Sequence, residues 1–361
     1  MVSKNKPLDR FYELDLLRFL AALSVLLFHY SFLNGIEVQS APTYPFLASI
    51  FKYGYFGVEI FFMISGFVIL LTAQNKTWKG FIVSRLSRLY PAFLIAVTVT
   101  SVLILILGSM NSDLSLSQYL WNLTMIPEYV GVQNIDPVYW TLQVEIKFYF
   151  WIFVLLLFKQ VQHIEPIILI WLSISVLDVF GLQHEIIRRL FIPEWAPYFS
   201  AGALFYIIKT QGVNIQRLAM LSLCFSLSLY FATENAGSKT ETYNFYFSPY
   251  VLGLLLIFYY AIFAYIINVK KTHLPQAWVI ALGGISYPLY LLHQKIGELL
   301  LVKYASLGIN KYLLLLLVTT LIIIVSYILY RYLEKGIAKN MKQKLEYFLH
   351  LPPSKIINEK M

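Results

Sequence analysis

The sequence predicts an all-α, polytopic membrane protein with about ten transmembrane helices and with both chain termini in the cytoplasm. Three observations predict this class: the composition, the lengths of the apolar runs, and the distribution of lysine and arginine. Hydrophobic residues make up 59% of the chain and charged residues only 13%, whereas a soluble domain is about half apolar and about one quarter charged. The composition therefore indicates a protein that is largely embedded in a membrane.

Apolar runs of about 17 to 25 residues recur along the chain, and this is the length at which a helix spans a bilayer. The first run is too long for a signal peptide and lacks a small-residue cleavage site, so we expect it to remain as a helix. The sixth run is short and flanked by prolines, which favours a tilted, broken or re-entrant segment. The predicted spans lie near 14–34, 55–73, 81–108, 139–158, 164–180, 197–209, 216–233, 246–268, 277–301 and 309–333.

Lysine and arginine set the orientation, because cytoplasmic loops retain them. If the N-terminus is cytoplasmic, 20 of the 28 lysines and arginines lie in or beside cytoplasmic segments. The net charge of +9 is then explained by topology and by contact with anionic lipid, and no nucleic-acid partner is predicted. Lys147 and Lys295 fall within spans, and we assign no role to them or to Asp178.

The sequence predicts one membrane domain, residues 14–335. A cytoplasmic N-terminal segment, 1–13, precedes it, and a short basic cytoplasmic tail, 336–361, follows it. The single cysteine, Cys224, lies in an apolar stretch. One cysteine excludes an internal disulfide and a cysteine-rich metal site, and a buried thiol is not expected to act as a nucleophile. No metal site is predicted.

Four ionisable side chains occur inside predicted spans. An unpaired polar group in lipid costs free energy, so its presence there suggests a function. At about 1.5 Å of rise per helical residue, His29 lies about 8 Å, Glu59 about 6 Å, Glu145 about 9 Å and His293 about 12 Å below the outer ends of their spans. Four helices thus contribute an ionisable group to one layer. This shared depth predicts a polar site in the outer half of the membrane.

Three arginines form a second layer at the predicted cytoplasmic side. Arg18 lies near the start of the first span, and Arg85 and Arg88 share one face at the start of the third. Arginine donors match phosphate oxygens, so these three could hold a phosphorylated molecule, although positive-inside anchoring is an alternative. Arg18 and His29 are eleven residues apart, which places them on one face of a helix, about 16 Å apart along its axis.

Five motifs, taken in order, resemble the acyltransferase type 3 family of integral membrane O-acyltransferases. They are the arginine and histidine of LDLLRFLAALSVLLFHYSFLN, the segment GYFGVEIFFMISGF, the arginines ending in RLYP, the segment YWTLQVEIKFY, and SYPLYLLH, which ends at His293. Glu59 stands where the family commonly has aspartate, and Thr141 where it commonly has serine. The resemblance covers about residues 10 to 335.

The resemblance implies transfer of an acetyl group from cytoplasmic acetyl-coenzyme A to a hydroxyl of a cell-surface or lipid-linked glycan, in the bacterial inner membrane. His29 would take the hydroxyl proton, Glu59 or Glu145 would orient the imidazole, and Arg18, Arg85 and Arg88 would bind the phosphates of coenzyme A. Trp140 and His293 would contact substrate. The acyl group, the acceptor, an acetyl-histidine intermediate and homo-oligomer formation stay open.

Some of these residues could have a structural role in place of a catalytic or binding one. Glu59 could instead cap the glycine-rich start of its span, and Trp140 could belong to the aromatic belt at the membrane surface. Glu145 and Lys147 are two residues apart and so face different sides of a helix, which argues against a pair between them. Histidines and glutamates inside ten spans also fit a proton-coupled secondary transporter, but we find no inverted repeat that would support one.

Overall fold

The computed structural model describes residues 10–38, 40–74, 76–108, 114–182, 184–269 and 274–352, and within them the secondary structure is entirely helical. The predicted segments 1–13 and 336–361 lie partly outside these ranges. The α-helices are α1 (Tyr12–Phe28), α2 (Asn34–Glu37), α3 (Pro45–Phe51), α4 (Gly57–Ala73), α5 (Trp78–Leu107), α6 (Leu116–Asn122), α7 (Trp140–Leu157), α8 (Ile164–Val179), α9 (Glu185–Phe191), α10 (Ala196–Gln211), α11 (Ile215–Tyr243), α12 (Pro249–Asn268), α13 (Gln276–Leu292), α14 (Gln294–Ala305), α15 (Lys311–Ile328) and α16 (Lys335–Phe348).

Each of the ten predicted spans corresponds to a helix in the described part of the chain. Eight helical segments are long and apolar enough to cross a membrane, and α13 is a shorter apolar helix. These lengths and compositions confirm the all-α, multi-pass membrane class. The remaining predicted span is α10, which is 16 residues long.

The short sixth span is an unbroken helix, and it lies inside the bundle. Every residue of α10 from Ala196 to Ile208 is buried. Gly66 of α4 and Gly202 of α10 face each other's helices, since a Cβ at either position would overlap a backbone carbonyl of the other helix. Small residues at such crossings allow two membrane helices to approach closely.

The predicted single span 277–301 is divided in the structure at His293, between α13 and α14. Side chains take over backbone hydrogen bonds at this point. The ring of His293 donates to the carbonyl of Tyr290, and the N–H of Lys295 donates to the carboxylate of Asp136. A helix whose donors and acceptors find other partners is interrupted there.

Both ends of the described chain lie at the same end of the bundle. Asp15 of α1 packs against Gly283 in the middle of α13, and Arg88 of α5 forms an ion pair with Glu334, which directly precedes α16. α16 packs along α5, and Lys79 donates to the carbonyl of Leu349. We call this end of the bundle the basic end, and it is the end predicted to face the cytoplasm.

Candidate functional site

The structure brings together two histidines that are 264 residues apart in sequence. His29 begins a π-helical turn, His29–Leu33, that continues α1, and His293 lies at the break between α13 and α14. Their ring centroids are 5.1 Å apart, and His293 is fully buried. Both residues interrupt regular α-helix, and π-helical turns occur frequently at functional sites.

One hydrogen bond fixes the protonation of the His293 ring. Nδ1 lies 2.7 Å from the carbonyl oxygen of Tyr290, and a carbonyl can only accept, so Nδ1 carries the proton. In the neutral ring Nε2 then presents a lone pair. This Nε2 is buried and has no hydrogen-bond partner among the described residues, and the same holds for Nδ1 of His29. The pair therefore holds unused proton-accepting capacity in a buried place.

Tyr30 fastens the two histidine-bearing segments to each other. Its hydroxyl donates to the carbonyl of His293 at 2.8 Å, and its side chain is fully buried. Gly297 makes this contact possible, because a Cβ at that position would occupy the space of the Tyr30 ring. The residue that follows the first histidine in sequence thus holds the backbone of the second.

Asp136 supports the same break from the other side. It is fully buried, one carboxylate oxygen accepts from the N–H of Lys295 at 3.0 Å, and the other accepts from the N–H of Val138 at 3.1 Å. Next to it, the hydroxyl of Thr141 donates to that of Tyr290. Sequence reasoning did not single out Tyr30 or Asp136. An aspartate directly before a proline at the start of a predicted span was the available signal for Asp136.

The two predicted carboxylates have other surroundings. Glu145 accepts hydrogen bonds from Ser65, at 2.9 Å, and from Tyr149. Glu59 is buried in the first turn of α4, and one of its oxygens has no hydrogen-bond partner. Among the described residues no hydrogen bond joins either carboxylate to either histidine, so their role in orienting an imidazole stays a prediction.

Trp140 begins α7 and lies at the protein surface. It is 36% exposed, and its ring lies 5.3 Å from that of Trp195. It lines a surface cavity of about 480 Å³ together with Asn134 and Pro137. The position at a helix start and the exposure fit either the aromatic belt or a contact with a ligand from outside.

The three predicted arginines lie at the basic end, and two of them have acidic partners. Arg18 lies 3.4 Å from Asp15, and Arg88 lies 3.6 Å from Glu334. Arg85 has no carboxylate within ion-pair distance among the described residues. Its Nε is buried without a hydrogen-bond partner, and its guanidinium lies over the rings of Phe81 and Tyr149.

Tyr149 connects the arginine region to the interior of the bundle. Its ring lies 5.8 Å from the guanidinium of Arg85, and its hydroxyl donates to Glu145. Arg18 interacts electrostatically with Glu145 and with Arg88. The same helix, α1, carries Arg18 and ends directly before His29, so the eleven-residue spacing is built on regular α-helix.

The three residues without an assigned role have local partners. Asp178 forms an ion pair with Arg188 at 3.1 Å, and Lys295 forms one with Glu298 at 2.7 Å. Lys147 lies over the ring of Tyr129, 5.6 Å from its centroid. These contacts account for the three residues without a catalytic role.

Comparison with known proteins identifies the family. The model of a family described as an acyltransferase domain matches residues 11–331. A putative acetyltransferase, ORF330, of Acidianus two-tailed virus is 24% identical over 302 residues, which are 81% of this chain and 85% of that protein. Nodulation protein 10 of Rhizobium leguminosarum bv. viciae is 28% identical over 157 residues, 37% of this chain and 41% of that protein. No solved structure matches. The chain belongs to the acyltransferase type 3 family and is a multi-pass membrane acyltransferase.

Proposed function

We propose that this protein transfers an acetyl group from cytoplasmic acetyl-coenzyme A to a hydroxyl of a cell-surface or lipid-linked glycan, in a bacterial inner membrane. The observation that carries the proposal is the adjacent pair of His29 and His293, in which each ring has a buried nitrogen without a hydrogen-bond partner. A hydroxyl can attack a thioester only as its proton is taken up, and imidazole is the side chain best suited to accept it near neutral pH.

The arginines at the basic end support a phosphorylated donor. A buried guanidinium N–H without a partner, as at Nε of Arg85, is costly unless an acceptor binds there. Coenzyme A presents such acceptors as phosphate oxygens. Arg18 lies on α1 and His29 directly follows the end of that helix. The eleven-residue spacing corresponds to about 16 Å along the axis, a distance that an extended donor held at the arginines can span.

In the proposed reaction the acceptor oxygen attacks the thioester carbonyl carbon while His29 takes the hydroxyl proton. The carbon–sulfur bond of the tetrahedral adduct then breaks, and the thiolate of coenzyme A leaves and receives that proton. His293, with Nδ1–H fixed by the Tyr290 carbonyl, offers Nε2 to position the acceptor hydroxyl or to relay the proton. Glu145, which accepts hydrogen bonds from Ser65 and Tyr149, would line the path of the donor.

A glycan acceptor is supported by the surface cavity beside Trp140. Its lining combines an aromatic ring with amide and carboxylate groups, among them Asn134, Gln133 and Glu128. Such a lining offers hydrogen-bond partners for hydroxyl groups and an apolar face for a sugar ring. We therefore expect the acceptor to approach from the side of the membrane opposite the basic end.

The proposed function is tested by transfer from labelled acetyl-coenzyme A in sealed vesicles of defined orientation. Labelled donor should acetylate a glycan only when it is supplied to the face that carries the basic end, and the product should show the mass increase of one acetyl group replacing one hydrogen. A transporter would release no coenzyme A thiol. Failure of thiol release with every glycan fraction of the native envelope would contradict the proposal.

A tyrosine substitution tests whether the backbone of His293 must be held in place. Tyr30→Phe removes the bond to the His293 carbonyl but keeps the ring, so we expect kcat to fall about tenfold while KM for the donor stays constant. The free energy of unfolding should fall by only about 1 kcal/mol. Tyr44→Phe is the matched control, because the Tyr44 hydroxyl also donates to a backbone carbonyl, that of Lys311. Equal kcat values in the two variants would show that the Tyr30 bond has no catalytic role.

A further inference from the structure

A lysine in the loop between α4 and α5 extends the basic end beyond the three arginines. Lys76 is half-buried, and its ammonium group donates to the hydroxyl of Ser84 at 2.8 Å. Arg85 donates to the same hydroxyl oxygen at 3.0 Å. Two cations therefore converge on one neutral side chain.

The two cations at this point lack an acidic partner within the described ranges. Lys76 and Arg85 have no carboxylate within ion-pair distance among the described residues, whereas Arg18 and Arg88 each have one. A third cation, Lys342 of α16, is close enough to act on Lys76 electrostatically. The ammonium nitrogen of Lys342 lies 3.9 Å from a carboxylate oxygen of Glu346.

The ionisation of Lys76 reflects this environment. Burial, and after it the charges of Arg85 and Lys342, lowers the pKa of Lys76 to about 8. Like charges gathered around a desolvated ammonium group destabilise the empty site, and a bound anion removes that penalty. The same repulsion would be relieved most by a ligand that carries two negative charges.

We propose that Lys76, with Ser84 and Lys342, forms a phosphate position beside Arg85 that takes the 3′-phosphate of coenzyme A. The inference rests on the proposed function and deepens it, because it names the part of the donor that the site selects. A 3′-phosphate is a monoester and is doubly charged above pH 7, while each phosphate of the pyrophosphate bridge carries one charge. The group with the higher charge fits the position with the higher density of cations.

The binding of two compounds that differ only in the 3′-phosphate tests this assignment. The dissociation constants of coenzyme A and 3′-dephospho-coenzyme A are measured with the full chain in nanodiscs, without any transfer. The wild-type protein should prefer coenzyme A by about tenfold or more, and Lys76→Ala should reduce this preference toward unity. Lys339→Ala, which removes an exposed lysine on the same helix as Lys342, should keep the preference.

The outcomes separate this inference from the proposed function. If neither compound binds and no transfer occurs, the proposed function fails. If both compounds bind with equal affinity, or if Lys76→Ala weakens both by the same factor, the donor assignment stands and the 3′-phosphate position is wrong.

An anionic lipid headgroup is the other source of a phosphate at this membrane surface, and lipid composition distinguishes it. The measurements are repeated in nanodiscs of phosphatidylcholine with and without phosphatidylglycerol. The preference for coenzyme A over the dephospho compound should persist in both. A preference that disappears in anionic nanodiscs and returns in neutral ones would show that the position binds lipid phosphate, and the inference would be overturned.

The pH dependence of donor binding gives an independent readout. As the pH rises through about 8, Lys76 in the free protein loses its charge, so the affinity for coenzyme A should fall while that for the dephospho compound changes less. Lys76→Arg should retain binding and remove the decline above pH 8. A decline that is identical in Lys76→Arg would contradict a role for Lys76.

Discussion

Replacing His29 with alanine is expected to reduce acetyl transfer by about 10²- to 10⁴-fold, the range lost when a general base is removed. His293→Ala should cause a loss of similar order, because each ring carries a buried nitrogen without a hydrogen-bond partner and the two rings are in contact. The measurement is kcat with saturating acetyl-coenzyme A. Coenzyme A affinity and the amount of protein in the membrane should be unchanged in both variants.

His163→Ala is the matched control for this experiment. His163 is exposed in a turn before α8 and contacts neither histidine of the pair, so its variant should retain full activity. The double variant His29→Ala with His293→Ala should lose little more than either single variant if the two rings act on one proton. Full residual activity in His29→Ala would remove this residue from the mechanism.

Replacing Arg85 with alanine is expected to weaken acetyl-coenzyme A binding by about 10- to 100-fold, because charge-assisted hydrogen bonds to phosphate oxygens are lost. The effect should appear in KM and in the dissociation constant of coenzyme A, with kcat at saturation nearly preserved. Arg88→Ala should have a smaller effect, since Arg88 already has Glu334 as a partner. The combined variant should lose at least as much donor affinity as Arg85→Ala.

Arg189→Ala controls for the loss of any membrane-protein arginine, because Arg189 is exposed on α9 and pairs with Glu185 in the same helix. Its donor affinity should match that of the wild-type protein. An unchanged dissociation constant in Arg85→Ala would return this residue to the role of a positive-inside anchor.

The all-α, multi-pass class and the positions of the apolar helices could be predicted, because the lengths of apolar runs are a property of the sequence alone. The break at His293 could not, because it depends on Asp136, which is far away in sequence and accepts the N–H of Lys295. The basic tail was expected without structure, yet α16 packs along α5 and brings Lys342 toward Lys76. Such contacts arise only once the bundle has folded.

The candidate site likewise contains residues that the sequence could predict and residues that it could not. Helical spacing and depth were enough to predict His29, His293 and the arginines as candidates, since one helix or one membrane layer relates them. The partners that fix these groups, such as Tyr30 and the Tyr290 carbonyl, follow from the meeting of distant segments. Glu59 and Glu145 were predicted at the same depth, but within the described ranges neither carboxylate forms a hydrogen bond to a histidine, and depth alone could not predict this.

We expect the arginines at the basic end and the histidine pair to open onto one donor path. A structure of the full-length protein with a non-transferable thioether analogue of acetyl-coenzyme A measures this directly. We expect phosphate oxygens within hydrogen-bond distance of Arg85 and the acetyl carbonyl beside His29 and His293. An analogue whose phosphates lie away from Arg85, or whose acetyl group is separated from both histidines by packed side chains, would contradict a shared donor path.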